Sequence, residues 1–263
     1  MPILNQFCAR WARPVLVAFL LCAGRDAEGK ILEDVVRQSY VLSPTARVTI
    51  RNTDGRICVY GSDVPRLEIM AVRRAFSQER LEGIKIEVSI NEEVVTIDTR
   101  YPPVASDSIL ADRSGTVDYV ILVPMFCSLP QVELQNGEVV VDGIYGKEID
   151  VHLERGLLHF SNCFSAARVS LGQGNLDVTY DWWEPGAFSL AAEVKDGDVR
   201  VALPAEAAVR IEADAPKGHV ENSLQPVPNP GDAHTLQLDM GNDAASQFRF
   251  RTEAGNIRFE PTF

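Results

Sequence analysis

Apolar and polar residues alternate along most of this chain, and glycine punctuates the alternation at a nearly regular interval. Between Gln131 and Asn222 a short motif returns as Asn136-Gly137-Glu138-Val139, Arg155-Gly156-Leu157-Leu158, Gln173-Gly174-Asn175-Leu176, Asp196-Gly197-Asp198-Val199 and Lys217-Gly218-His219-Val220. The glycines are 19, 18, 23 and 21 residues apart, and outlying copies at Asp54-Gly55-Arg56-Ile57 and Ala254-Gly255-Asn256-Ile257 frame them. Two residues after the glycines stand Ile57, Val139, Leu158, Leu176, Val199, Val220 and Ile257; four after stand Val59, Val141, Phe160, Val178, Val201, Asn222 and Phe259. Ahead of the glycines, Val132/Leu134, Val151/Leu153, Val169/Leu171 and Ala192/Val194 alternate in the same way. A period of two is the signature of a strand with one buried face. Each unit therefore reads as strand, polar-Gly turn, strand, with the glycine supplying a positive φ. One unit cannot bury its own apolar face, but units stacked about 4.8 Å apart build a continuous core. Stacked two-stranded hairpins, as in a meander or sandwich, fit the same local pattern. The aliphatic columns favour an all-β solenoid.

Outside the central repeat the alternation continues. Residues 27–103 form a β-rich section with strand-like runs at Val41–Ile50, Ile57–Tyr60, Leu67–Val72, Ile84–Ile90 and Val94–Asp98. Ser77 to Gly83 reads as one helical turn with Ser77 as its N-cap and Arg80 facing solvent. Tyr101 to Ser114 is a loop or hinge, Val117 to Pro124 a strand entering the repeat, and Pro226 to Gly231 a second break. Thr235–Leu238 and Phe248–Phe250 resume the alternation, and the last strand, ending at Phe263, is expected to cap the stack. Pro261 and the short polar-faced strands argue against an outer-membrane barrel. The expected organisation is a signal peptide at 1–24, an N-terminal β-rich part at 25–115 and a C-terminal stack at 116–263, continuous with it.

The leader reading rests on Arg10 and Arg13 ahead of the apolar run Val15 to Ala23 and on the small residues after it. That run is too short for a bilayer, which needs about 20 residues, so no stable membrane span is expected in the mature chain. Cys22 as a lipidated residue is the weaker alternative, because Leu21 occupies a position that favours a small side chain. Without the leader the chain carries 23 basic against 37 acidic side chains, a net of −14. Such a surface repels phosphate backbones and anionic lipid, so nucleic acid is an unexpected partner.

The run Val48-Thr49-Ile50-Arg51-Asn52-Thr53-Asp54-Gly55-Arg56-Ile57-Cys58-Val59-Tyr60-Gly61, followed by a Val/Leu/Ile strand, a strand ending in Val123-Pro124 and serial glycine turns, resembles the bacterial putative-adhesin family. The resemblance spans roughly Arg37 to Phe259. It implies a right-handed β-solenoid outside the cytoplasm (periplasmic, on the cell surface or secreted), similar to auto-transporter adhesin head domains. The family offers no catalytic residues to carry over.

The residues themselves offer little chemistry. His152 and His159 flank one turn and stand alone, without a third ligand for zinc. Asp142, Asp150, Asp177, Asp196 and Asp198 sit at different offsets from their glycines, so they form no carboxylate column of the kind a polysaccharide-cleaving β-helix needs. No catalytic residue, metal or cofactor is expected. Cys58, Cys127 and Cys163 read as thiols, since Cys127 and Cys163 fall about two layers apart, beyond the roughly 7 Å Cα reach of a disulfide. Trp182 and Trp183 are the candidate ligand-binding residues. On an extended strand one of them points outward, placed to stack on a sugar or a protein; in a loop over Asp181–Gly186, the arrangement the sequence favours, they cover the side of the stack. The expected function is non-enzymatic: adhesion or envelope interaction with a surface protein or glycan. A periplasmic scaffold or sensor is the alternative, and a polysaccharide-active enzyme the third. An aromatic strip exposed along stacked layers would favour adhesion; two facing carboxylates in a cleft would favour the enzyme.

Overall fold

A computed structural model describes residues 31–103, 112–226, 233–242 and 244–262. The expected signal peptide and Phe263 lie outside the described residues. Six strands and one helical turn precede the central repeat: β1 (Leu32–Val41), β2 (Arg47–Ser62), β3 (Arg66–Ala75), α1 (Gln78–Gly83), β4 (Lys85–Asn91), β5 (Val94–Arg100) and β6 (Thr116–Pro124). Three long strands, β7 (Ser128–Asp142), β8 (Glu148–Ser161) and β9 (Ala166–Thr179), each run unbroken through their glycine. Later units divide near theirs: β10 (Ser189–Asp196) from β11 (Val199–Leu203), and β12 (Val209–Asp214) from β13 (Val220–Asn222). After β14 (Thr235–Met240), β15 (Ser246–Ala254) is divided from β16 (Ile257–Pro261).

The glycines are corners, not hairpin turns. Leu134 and Val139 are five positions apart, which on a flat strand puts them on opposite sides, yet they are 1% and 0% exposed. The chain satisfies both by bending at Gly137. Gly55, Gly137, Gly156, Gly174, Gly197 and Gly255 take φ between +123° and +148°, a region closed to side-chain-bearing residues. Contact adds a second constraint: a Cβ on Gly156 would stand 1.7 Å from the carbonyl oxygen of Gly137, and one on Gly137 1.7 Å from that of Gly55.

With the corners aligned, β2, β7, β8 and β9 lie parallel, Gly55 opposite Gly137, then Gly156, then Gly174. The halves before the corners make one face of the stack, ordered β4-β5-β2-β7-β8-β9-β10-β15-β12-β14. The halves after the corners make the other, ordered β1-β3-β6-β2-β7-β8-β9-β11-β16-β13. Both faces turn their aliphatic columns inward, where Val132, Val151, Val139, Leu158, Phe160 and Phe259 are among the buried residues. Antiparallel strands close the ends: β3 and β1 beside β6, β4 beside β5, β14 beside β12.

Several expectations are corrected. Val41–Ile50 is two elements, because the chain breaks at 42–46 between β1 and β2, and the strand before the break was not anticipated. The last strand does not cap the stack. β15 and β16 slot between the β10/β11 coil and the β12/β13 coil, so Gly255 lies between Gly197 and Gly218. The chain leaves after Asn222, adds β14 at the end of one face, and returns to fill the penultimate layer. Ser77 does cap α1, accepting from the Arg80 amide at 3.3 Å, but Arg80 is buried rather than solvent-facing. Its guanidinium donates to the Ser114 carbonyl at 2.7 Å and to that of Pro102, tying α1 to the neighbouring loops.

Candidate functional site

Opposite the glycine corners, short loops carry the chain from one coil to the next, and aromatic side chains line up along them in edge-on and tilted contact. Phe126 precedes β7, Tyr145 precedes β8 and Phe164 precedes β9. Their ring centroids are 6.2 Å and 5.1 Å apart in succession, and Trp182 follows at 6.2 Å from Phe164. The loops are held in register by backbone bonds, Tyr145 N–H to Met125 O at 2.7 Å and Phe164 N–H to Ile144 O at 3.0 Å. Phe126 and Trp182 are 55% and 42% exposed, while Tyr145 and Phe164 are half-buried. The result is an aromatic strip running over four successive loops.

Trp182 and Trp183 divide their roles. The loop between β9 and β10, from Tyr180 to Phe188, is longer than those before it. Trp183 turns inward and packs on Phe188, Tyr180 and Phe248 at 5.0 to 5.9 Å. Trp182 stays outside over Phe164, its indole N–H donating to Glu184 Oε1 at 3.2 Å. Phe126, Tyr145, Phe164 and Trp183 are each 19 residues apart, a spacing readable in the chain but missed when the register is taken from the glycines alone.

Carboxylates border the strip. Asn162, at a positive φ of 49°, donates from Nδ2 to Asp142 Oδ1 at 3.2 Å and to Asp181 Oδ2 at 3.1 Å, while its Oδ1 accepts from the Asp181 amide at 2.9 Å. Burial raises the pKa of Asp142; the Asn162 amide opposes the shift and the Asp181 charge adds to it. Burial likewise raises the pKa of Tyr145, against a hydrogen bond from Trp182.

The other candidate groups do not converge. His152 and His159 lie on opposite faces of the stack, because the Gly156 corner separates them, so the turn does not bring them together. His152 bonds Ser170 Oγ at 2.7 Å, and His159 stands 3.9 Å from Glu138. Among the described residues no cluster of three or more His, Cys, Asp or Glu has metal-site geometry. Asp177 receives Arg200, which also donates to Glu260 at 2.7 Å, and Asp198 accepts from the Asn256 amide at 2.7 Å. Cys58, Cys127 and Cys163 are buried free thiols; burial raises the pKa of Cys127 to about 12 and that of Cys163 further.

Paired glycine-cornered strands, an unbroken aliphatic core and an aromatic strip over the connecting loops define an all-β, solenoid-like stack. Residues 45–260 match the Toastrack DUF4097 family, and the chain belongs to that family. Among solved structures, one titled a putative cell adhesion protein from Clostridium sporogenes is similar at 12% identity and TM-score 0.50, covering 87% of this chain and 100% of its own. Another, titled a putative adhesin from Bacteroides fragilis, is 9% identical with TM-score 0.38, covering 86% of this chain and 97% of its own. At these identities the first likeness shows the fold alone. No curated protein matches the sequence.

Proposed function

We propose that this protein is an exported, non-enzymatic adhesion or envelope-interaction module that makes contact through its aromatic strip. The observation that carries this reading is the strip itself: Phe126 and Trp182 stand exposed at the ends of a contiguous row of four rings, and contiguous exposed apolar surface marks an interaction site. Large aromatics supply much of the binding energy at recognition surfaces. The similar structure from Clostridium sporogenes is described as a putative cell adhesion protein, which supports the same reading. Among the described residues no helix is long and apolar enough to cross a membrane. We read the coil as right-handed, the hand that parallel crossovers adopt almost without exception.

Protease shaving of intact cells carrying a tagged copy, with a lysed-cell control, tests the placement. Digestion on intact cells is the expected result. Protection until lysis would overturn the surface reading and leave a periplasmic scaffold, whose partner crosslinking at the strip would identify.

A further inference from the structure

We infer that the strip accepts a neutral linear glycan laid along the stack axis, about one sugar unit per coil. The inference rests on the reading of the strip as the contact surface and adds its ligand class. Coils in such a stack repeat at about 4.8 Å, and the rings here step by 5.1 to 6.2 Å. Those steps are close to the advance of one pyranose along an extended chain. The C–H face of a pyranose is apolar and packs on an aromatic ring, while its hydroxyls need partners at the rim.

The rim supplies acceptors. Asp142 and Asp181 each use one oxygen on Asn162. Among the described residues the second oxygen of each carboxylate takes no hydrogen bond, which leaves it to accept a hydroxyl, and the shared amide holds the pair in place. Glu184 is fixed at the same end by the Trp182 indole. Carboxylates in an already acidic chain repel uronic acids and sulfated sugars, which selects a neutral glycan. A peptide adding as a strand is disfavoured, because the Tyr145 and Phe164 amides of these loops already donate to the neighbouring coils.

Titration of the full mature chain with neutral oligosaccharides, disaccharide to hexasaccharide of the cellulose and chitin series, followed by tryptophan fluorescence and calorimetry, tests the inference. Affinity should climb with chain length and level off near the tetrasaccharide. Trp182→Ala should weaken the longest ligand about tenfold, the equivalent of roughly 1.4 kcal/mol. Asp181→Asn, which keeps the shape of the side chain, should weaken it less, with thermal melts verifying that both variants fold. Polygalacturonate should bind more weakly than any neutral chain of similar length. Binding that ignores chain length, or that survives Trp182→Ala unchanged, overturns the inference. So does capture of an envelope protein at the strip by a chain that ignores every oligosaccharide, although that result leaves the contact-surface reading standing.

Discussion

At the residue scale the corner glycines carry the sharpest consequence. Gly156→Ala combines a φ of +140° with a Cβ 1.7 Å from a carbonyl oxygen, whereas a Cβ on Gly186 meets nothing within 4 Å. Gly156→Ala should cost at least about 3 kcal/mol, and Gly186→Ala should stay within about 0.5 kcal/mol of the parent, both read from urea unfolding. A second residue-level prediction concerns acid. The hydrogen bond from Arg73 holds the Asp34 carboxyl below its ordinary 3.8, with burial opposing the shift. The unfolded chain therefore binds that proton more readily, and the stability from Asp34 is present above 3.8 and lost as pH falls through the lower folded value. Unfolding curves of Asp34→Asn and the parent should differ near neutral pH and converge in strong acid. The inward columns and the positive φ of every repeat glycine except Gly218 were legible in the sequence, because alternation and a recurring glycine are local signals. The burial of Arg80 was not: its carbonyl partners come from Pro102 and Ser114, which only the fold brings to it.

Among elements, the loop from Tyr180 to Phe188 behaves as two parts. Trp183 belongs to the cluster of Tyr180, Phe188 and Phe248, and Trp182 to the surface. Trp183→Ala should cost about 1–3 kcal/mol through lost packing of a partly buried ring, and Trp182→Ala about 1 kcal/mol or less, in the same denaturant measurement. The pair was recognisable in sequence as an aromatic feature of the stack's flank. Which ring turned inward was not, since the 19-residue spacing runs on to Trp183, while the longer loop carries that ring into the core and leaves Trp182 over Phe164. The strip itself was readable from that spacing. Strands β7 to β9 were legible as units for a related reason: their partners are also their neighbours in sequence.

At the scale of the whole molecule, that neighbour rule fails once. Repeats that share one glycine and one aliphatic pattern cannot say which coil sits beside which, and the uneven spacing at Gly218 with the prolines after it was the only hint of a rearrangement. Because β15 and β16 are sandwiched between other coils, their amides should resist hydrogen–deuterium exchange about as well as those of β9. The edge strands β13 and β14 should exchange first. A sequential stack, with its last strand as cap, would reverse that order. The insertion also bears on synthesis. A chain emerging from its amino end can lay down coils one after another through β11, but β12 and β13 have no seat of their own until β15 and β16 arrive. The β15–β16 segment thus works as a keystone: a copy cut short before it by a premature stop or a nick loses an inner course and presents raw strand edges to the proteases that clear unfinished proteins.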